Sequence, residues 1–225
     1  MRGVFVAGTD TGVGKSVLAA AICAGLAARG DRVAAFKPVV TGIDDEPDEF
    51  GRDHELLASV ANVGQTPEDV SPRRFGPPLS PHYAAELAGV TIEPPELVAH
   101  ARSQAERGDL LVAEGVGGLL VPITPGYLIR DLALDLNLPL VVAARPGLGT
   151  INHSLLTLEA ARTAGLKPVG VVMTPWPEGD DMARSNRETV ERIGDVRVSV
   201  LPHVTRDELA SAGGELPLDD WLSAA

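Results

Sequence analysis

The sequence predicts a doubly wound α/β domain in which a mostly parallel central sheet carries helices on both faces. Short continuous Val, Leu and Ala runs recur along the chain, helical stretches separate them, and glycine-rich turns stand where several runs end. With 225 residues the chain has enough material for one sizeable core, so a single domain over 1–225 is expected.

The elements follow in order. Gly3 to Ala7 is a short apolar run that ends in a glycine-rich loop, and Lys15 to Arg29 is a helix rich in Ala and Leu. Arg32 to Phe36 reads as the second strand, closed by Lys37-Pro38, because proline biases the residue before it towards extended geometry. The acidic stretch Asp44 to Gly51 reads as a solvated loop, and Asp53 to Val60 as a helix. Ser71-Pro72, Pro77-Pro78 and Ser80-Pro81 mark a rigid irregular crossing. Pro94 to Arg107 is a helix with proline in its first turn, and Leu110 to Ala113 a buried strand. Leu128 to Leu136, Ile151 to Ala164 and Ala183 to Ile193 read as helices, alternating with strands at Leu138 to Ala144, Val169 to Met173 and Val196 to Leu201.

Composition excludes several functions. There are 19 basic against 31 acidic side chains, a net charge of −12, which argues against nucleic acid or an anionic membrane surface as the main partner. Values of 44% hydrophobic and 22% charged residues are those of a globular chain. The single Cys23 rules out an intramolecular disulfide or a thiolate metal cluster, and its apolar surroundings read as core. The apolar N-terminal stretch breaks at Gly8-Thr9-Asp10, too short for a signal peptide, and no run reaches the roughly 18 apolar residues of a membrane span. A soluble, cytoplasmic protein is expected. Only Lys15, Lys37 and Lys167 are lysines, so each asks for a reason.

The strongest motif is Gly8-Thr9-Asp10-Thr11-Gly12-Val13-Gly14-Lys15-Ser16, placed after the first strand and opening the first helix. In that context backbone N–H groups and the helix N-terminus cradle phosphate, Lys15 adds charge at the β- and γ-phosphates, and Ser16 offers a hydroxyl to Mg²⁺. Five residues separate Gly8 from Gly14, one more than in the common pattern. The fold class sharpens to P-loop NTPase-like.

Three further segments point to the same rim. Ala113-Glu114-Gly115-Val116-Gly117-Gly118 puts a carboxylate at a strand's C-terminal end, where ligands bind in such sheets, and glycines that let backbone approach phosphate. Lys37-Pro38-Val39-Val40-Thr41-Gly42 places a second ammonium beside the first, suited to a transferring phosphoryl group. Asp53 is either a second metal carboxylate or an ordinary helix N-cap. Gly147-Leu148-Gly149-Thr150-Ile151-Asn152-His153 opens a helix that either holds a carboxylate or is simply capped by Thr150, with His153 on its surface.

The ordered set resembles the dethiobiotin synthetase family over Gly3 to about Pro202. The resemblance is carried by residues 8–16 with the extra loop residue, Lys-Pro-Val-Val-Thr-Gly at 37–42, Arg52-Asp53, Ser80-Pro81-His82, Glu-Gly-Val-Gly-Gly at 114–118 and Leu-Gly-Thr-Ile-Asn-His at 148–153. It implies ATP-dependent closure of the ureido ring of dethiobiotin from 7,8-diaminopelargonate and CO₂, through a carbamate that ATP phosphorylates. It further implies that Gly12, Val13, Gly14, Lys15, Ser16 and Val17 wrap the phosphates, with Glu114, Gly115, Val116 and Gly117 beside them. Ser16, Asp53 and Glu114 would serve Mg²⁺, and Lys15 and Lys37 would be catalytic. Thr41, with Lys37, would contact the diamine. Gly149, Thr150, Ile151 and Asn152 of a neighbouring subunit would hold its carboxylate, which makes a homodimer. The base would lie beside Thr174 and Pro175, where many members carry Asn-Asp to read adenine.

Two other readings share parts of this pattern. A partitioning-type switch ATPase usually carries an extra lysine early in the loop, where this chain has Thr9, Asp10 and Thr11. A P-loop amide ligase normally carries a glutaminase part with a cysteine nucleophile, and Cys23 is misplaced for that role.

Overall fold

The computed structural model of the protein describes residues 1–224. The chain opens with β1 (Gly3–Gly8), α1 (Lys15–Ala28), β2 (Val33–Phe36), β3 (Val39–Thr41) and α2 (Asp53–Val60). Then come α3 (Pro67–Val70), β4 (Arg73–Phe75), α4 (Pro81–Leu87), α5 (Pro94–Ala105), β5 (Leu110–Gly118), β6 (Pro122–Thr124) and β7 (Tyr127–Leu128). The second half continues through α6 (Ile129–Leu136), β8 (Leu140–Ala144), α7 (Thr150–Thr163), β9 (Pro168–Trp176), α8 (Asp181–Gly194) and β10 (Val198–Pro202). A 3₁₀ turn at Arg206–Glu208 leads into α9 (Leu209–Gly214) and α10 (Leu218–Ser223).

Six parallel strands form the central sheet in the order β10-β9-β8-β1-β5-β2. Every residue of β1 is buried, and its side chains alternate between two cores. Phe5 and Ala7 join α5, α6, α7 and α8 on one face, while Val4 and Val6 join α1, α2 and the C-terminal helices on the other. This two-sided burial is why the strands read as unbroken apolar runs. Helices start where proline occupies the first turn, at Pro67, Pro81 and Pro94. Helices α6 and α8 end at Asn137 and Asp195 in the left-handed region. On the α1 face, a Cβ on Gly213 would stand 1.8 Å from the Ala21 carbonyl oxygen, so α1 and α9 meet backbone to backbone.

Several boundaries differ from the sequence reading. Strand β5 runs through Gly118, because Gly8 pairs with Gly118 and extends the ladder past Glu114; Glu114 therefore lies within a strand, opposite Val6, and not in a turn. Pro38 does end β2, but Val39–Thr41 then pairs in parallel with β4. The proline-rich crossing contains β4 and α4. The acidic stretch is no free loop, since Phe50 is buried in the α1-face core. Cys23 is fully buried and burial pushes its thiol pKa up, as expected of a core residue. No helix among the described residues is long and apolar enough to cross a membrane.

Candidate active site

At the C-terminal end of β1 the chain turns through residues 9–14 into α1. Gly14 caps α1 at φ 81°, a left-handed conformation, and a Cβ there would stand 2.8 Å from Thr174 Cγ2. The loop is tied down from three sides. Thr9 N–H donates to the Ala143 carbonyl at 3.0 Å, Lys15 Nζ to the Asp10 carbonyl at 2.8 Å and Arg145 Nη2 to the Thr11 carbonyl at 3.1 Å.

Behind it lies a chain of charges. Glu114 is fully buried, accepts from Ser16 Oγ at 2.8 Å and sits 2.5 Å from Lys37 Nζ through the same Oε1. Lys37 Nζ also lies 2.7 Å from Asp53 Oδ2. Burial works against the Lys37 charge, but Asp53 and Glu114 outweigh it and raise its pKa above the ordinary value. Burial drives Lys15 the other way, down to about 8, with Glu114 only partly compensating. Desolvation opposes ionisation of Asp53 as well, yet Lys37 outweighs it and holds that carboxyl below its ordinary range. For Glu114 burial prevails over Lys37 and pushes the pKa up.

Glu114 Oε2 is buried with no hydrogen-bond partner, an acceptor left waiting for a cation or donor. Ser16, Asp53 and Glu114 are hard oxygen donors, the set a magnesium ion prefers. Among the described residues no group of three or more His, Cys, Asp and Glu has metal-holding geometry. Two carboxylates and a hydroxyl leave the remaining positions of such an ion to phosphate oxygens and water.

These groups line one cavity of about 730 Å³. Gly12, Gly14, Lys15, Ser16 and Val17 form its floor; Lys37, Thr41, Asp53 and Glu114 stand on the β2–β5 side with Ser80 and Pro81. Val116 and Gly117 border it, and Thr174 with Pro175 stand on the β9 side. Val13 is buried beneath the loop and Gly115 lies within β5, so neither lines the cavity. Gly149, Thr150, Ile151 and Asn152 are also outside it, at the start of α7. The cap of α7 is Gly149, not Thr150, whose hydroxyl is buried against Ser154, while His153 is exposed. Asp53 is the first residue of α2 and Arg52 its N-cap, so Asp53 does not cap that helix. Lys167 is exposed in the turn before β9.

Sequence reasoning missed two walls. Pro202, His203 and Val204, at and just past the end of β10, line the cavity, as do Asp48, Glu49 and Phe50. The one signal for the second was Phe50 itself, an aromatic residue isolated in an acidic stretch and followed by Gly51.

A family described as an AAA domain matches residues 2–210. The ATP-dependent dethiobiotin synthetase BioD of Anaeromyxobacter dehalogenans (strain 2CP-1 / ATCC BAA-258) is 40% identical over 195 residues, 86% of each chain. The chain belongs to the dethiobiotin synthetase family. The synthetase of Bacillus subtilis (strain 168) is 36% identical over 86% of this chain and 83% of its own. Among solved structures, a ParA family ATPase from Chlorobium tepidum TLS superposes with a TM-score of 0.58 at 14% identity, covering 100% of this chain and 93% of its own. The septum site-determining protein MinD from Pyrococcus horikoshii OT3 gives 0.56 at 14% identity, covering 99% and 95%. The chain thus shares the fold of these two proteins.

Proposed function

We propose that the chain works as one P-loop α/β domain, in a cytoplasmic homodimer, and makes dethiobiotin from 7,8-diaminopelargonate, CO₂ and ATP in biotin biosynthesis. The observation that carries this reading is the placement of Lys15 and Lys37 on one cavity, with Glu114 and Asp53 behind them. The second lysine comes from just past the end of β2, not from the early loop positions Thr9, Asp10 and Thr11 where a switch ATPase would carry it.

One amine of the substrate attacks CO₂ and loses a proton, leaving an N-carboxylate. An oxygen of that carboxylate displaces ADP from the γ-phosphorus, giving a carbamic-phosphoric anhydride. The second amine then attacks the carbonyl carbon and gives up a proton as phosphate leaves, and the five-membered ring is closed. Lys37 and Lys15 place positive charge beside the carboxylate and the migrating phosphoryl oxygens, in a site too buried for water to screen it. Ser16, Asp53 and Glu114 are the residues that would hold magnesium, which when bound neutralises charge on the β- and γ-phosphates.

Thr41 faces the cavity on the lysine side and is suited to the diamine. The residues at 149–152 begin a 14-residue helix, whose N-terminus suits a carboxylate. They lie outside this chain's own cavity, which fits a role in the neighbouring subunit's site, and Leu148 beside them is 95% exposed. Thr174 and Pro175 border the region left for the base. Purified protein should release phosphate from MgATP only when diaminopelargonate and bicarbonate are both present. Strong hydrolysis without the diamine, or none with it, would overturn the reading. Light scattering tests the dimer.

A further inference from the structure

The cavity wall made by residues 48–50 is held by groups that never touch it from within. Residues 48–51 form a tight turn: Gly51 N–H donates to the Asp48 carbonyl at 2.9 Å, and Phe50 N–H to Asp48 Oδ1 at 2.8 Å. Arg52 Nη2 fastens the start of the segment through the Ile43 carbonyl at 2.7 Å. The turn then meets the segment leaving β10. There Arg206 Nη2 donates to the Phe50 carbonyl, and Glu49 Oε1 lies 3.5 Å from His203 Nε2. Phe50 supplies the apolar anchor, 7% exposed in the α1-face core with Val204 and Leu209.

The division of the cavity says which ligand this wall meets. Phosphates held at the start of α1 have Lys37, Asp53 and Glu114 on the β2–β5 side, so the reacting diamine must stand there. The rest of the nucleotide has only the β9–β10 side left, bounded by Thr174, Pro175, Pro202, His203 and Val204. The 48–50 turn closes that side by meeting 203–206.

We infer that Arg206 is a positioning residue for nucleotide binding: by pinning the Phe50 carbonyl it fixes the 48–50 turn as a wall of the nucleoside end of the cavity. The inference rests on the nucleotide reading above. Arg206 is itself exposed and does not line the cavity. Its side chain acts through the turn, and its loss leaves the core untouched.

The test is calorimetric binding of MgADP to the full chain, alongside steady-state kinetics. Arg206→Ala should raise the Kd for MgADP and the KM for ATP by roughly tenfold or more, the scale of one lost hydrogen bond from a charged donor. The KM for diaminopelargonate and kcat should stay within about twofold, since a bond on the nucleoside side does not enter the transition state. Arg206→Lys, which can still donate to the carbonyl, should recover most of the affinity, and Phe50→Ala should reproduce the loss from the other anchor. An unchanged Kd in Arg206→Ala, or equal rises in both KM values, would overturn the inference. Wild-type protein that binds MgADP but makes no dethiobiotin would sink the proposed reaction and leave this test standing.

Discussion

Lys37 and Glu114 form a buried ion pair, 3% and 0% exposed, with 2.5 Å between Nζ and Oε1. They come from neighbouring parallel strands, Lys37 from just past the end of β2 and Glu114 from within β5. A buried pair of this kind is weak evidence of stability, because the desolvation cost of the two ions rivals their attraction. Its value is geometric. It holds an ammonium at a fixed point facing the cavity, where the proposed phosphoryl transfer would use one.

Replacing Lys37 separates chemistry from binding. Lys37→Ala should lower kcat by roughly 10²–10³-fold, the range for one lost transition-state donor. Affinity for MgADP, set mainly by the loop at 12–17, should change by less than about threefold. Phosphate release and calorimetry check the two halves. Unchanged turnover would make Lys37 a structural counter-ion only.

Glu114→Gln keeps the shape but removes the charge. If Glu114 helps hold magnesium, the Mg²⁺ concentration for half-maximal activity should rise roughly 10–100-fold, the scale of lost support at metal sites. An unaltered magnesium requirement would leave Glu114 the single task of anchoring Lys37 and Ser16.

Gly14→Ala tests the closeness of the phosphate loop to β9. A left-handed φ costs an alanine roughly 1–2 kcal/mol, and its Cβ would press on Thr174 Cγ2 at 2.8 Å. MgADP affinity should fall by about tenfold or more while far-ultraviolet dichroism stays the same. Adding Thr174→Ser removes that methyl and should restore part of the loss. No recovery would mean that the backbone conformation carries the whole effect.

Asp69 supplies a pH-dependent part of stability. Its Oδ2 accepts from Thr66 N–H at 3.0 Å and lies 2.8 Å from Arg107 Nη1, and these two contacts hold its carboxyl below the ordinary value. A depressed folded pKa means stability present above the unfolded value, about 3.9, and lost as pH falls through the folded value. Asp69→Asn should therefore cost about 0.5–1 kcal/mol in urea unfolding at neutral pH, with the difference narrowing below about pH 3.9 and closing once the folded carboxyl is protonated. A gap that persists in acid would show that the charge is not its source.

Much of this was legible in the sequence because local chemistry and global fold agree. β1 and β8 are apolar at every position since both faces are covered, and Gly14-Lys15-Ser16 can serve phosphate only between a strand and a helix. What stayed hidden depended on distant partners. Phe50 is buried because Arg206 and the α1-face core receive it, 156 residues away in the case of the arginine. The C-terminal helices were unreadable for a similar reason: Trp221 is 1% exposed against β9, where Gly170 leaves room for its ring, and no periodicity in so short a helix announces that. The strand before Glu114 reads as ending at Ala113 because the glycines after it imitate a turn, whereas the ladder to Gly8 keeps them in the strand.

The sheet order sets β1 in the middle, with β2 and β5 on one flank and β8, β9 and β10 on the other. In the proposed reading, transfer chemistry and nucleoside recognition fall to opposite edges that meet at the phosphate loop. On that reading, substitutions at the β9–β10 edge should retune which nucleotide is accepted while Lys37 on the far edge stays as it is. Such an architecture lets its fuel change without rebuilding its engine.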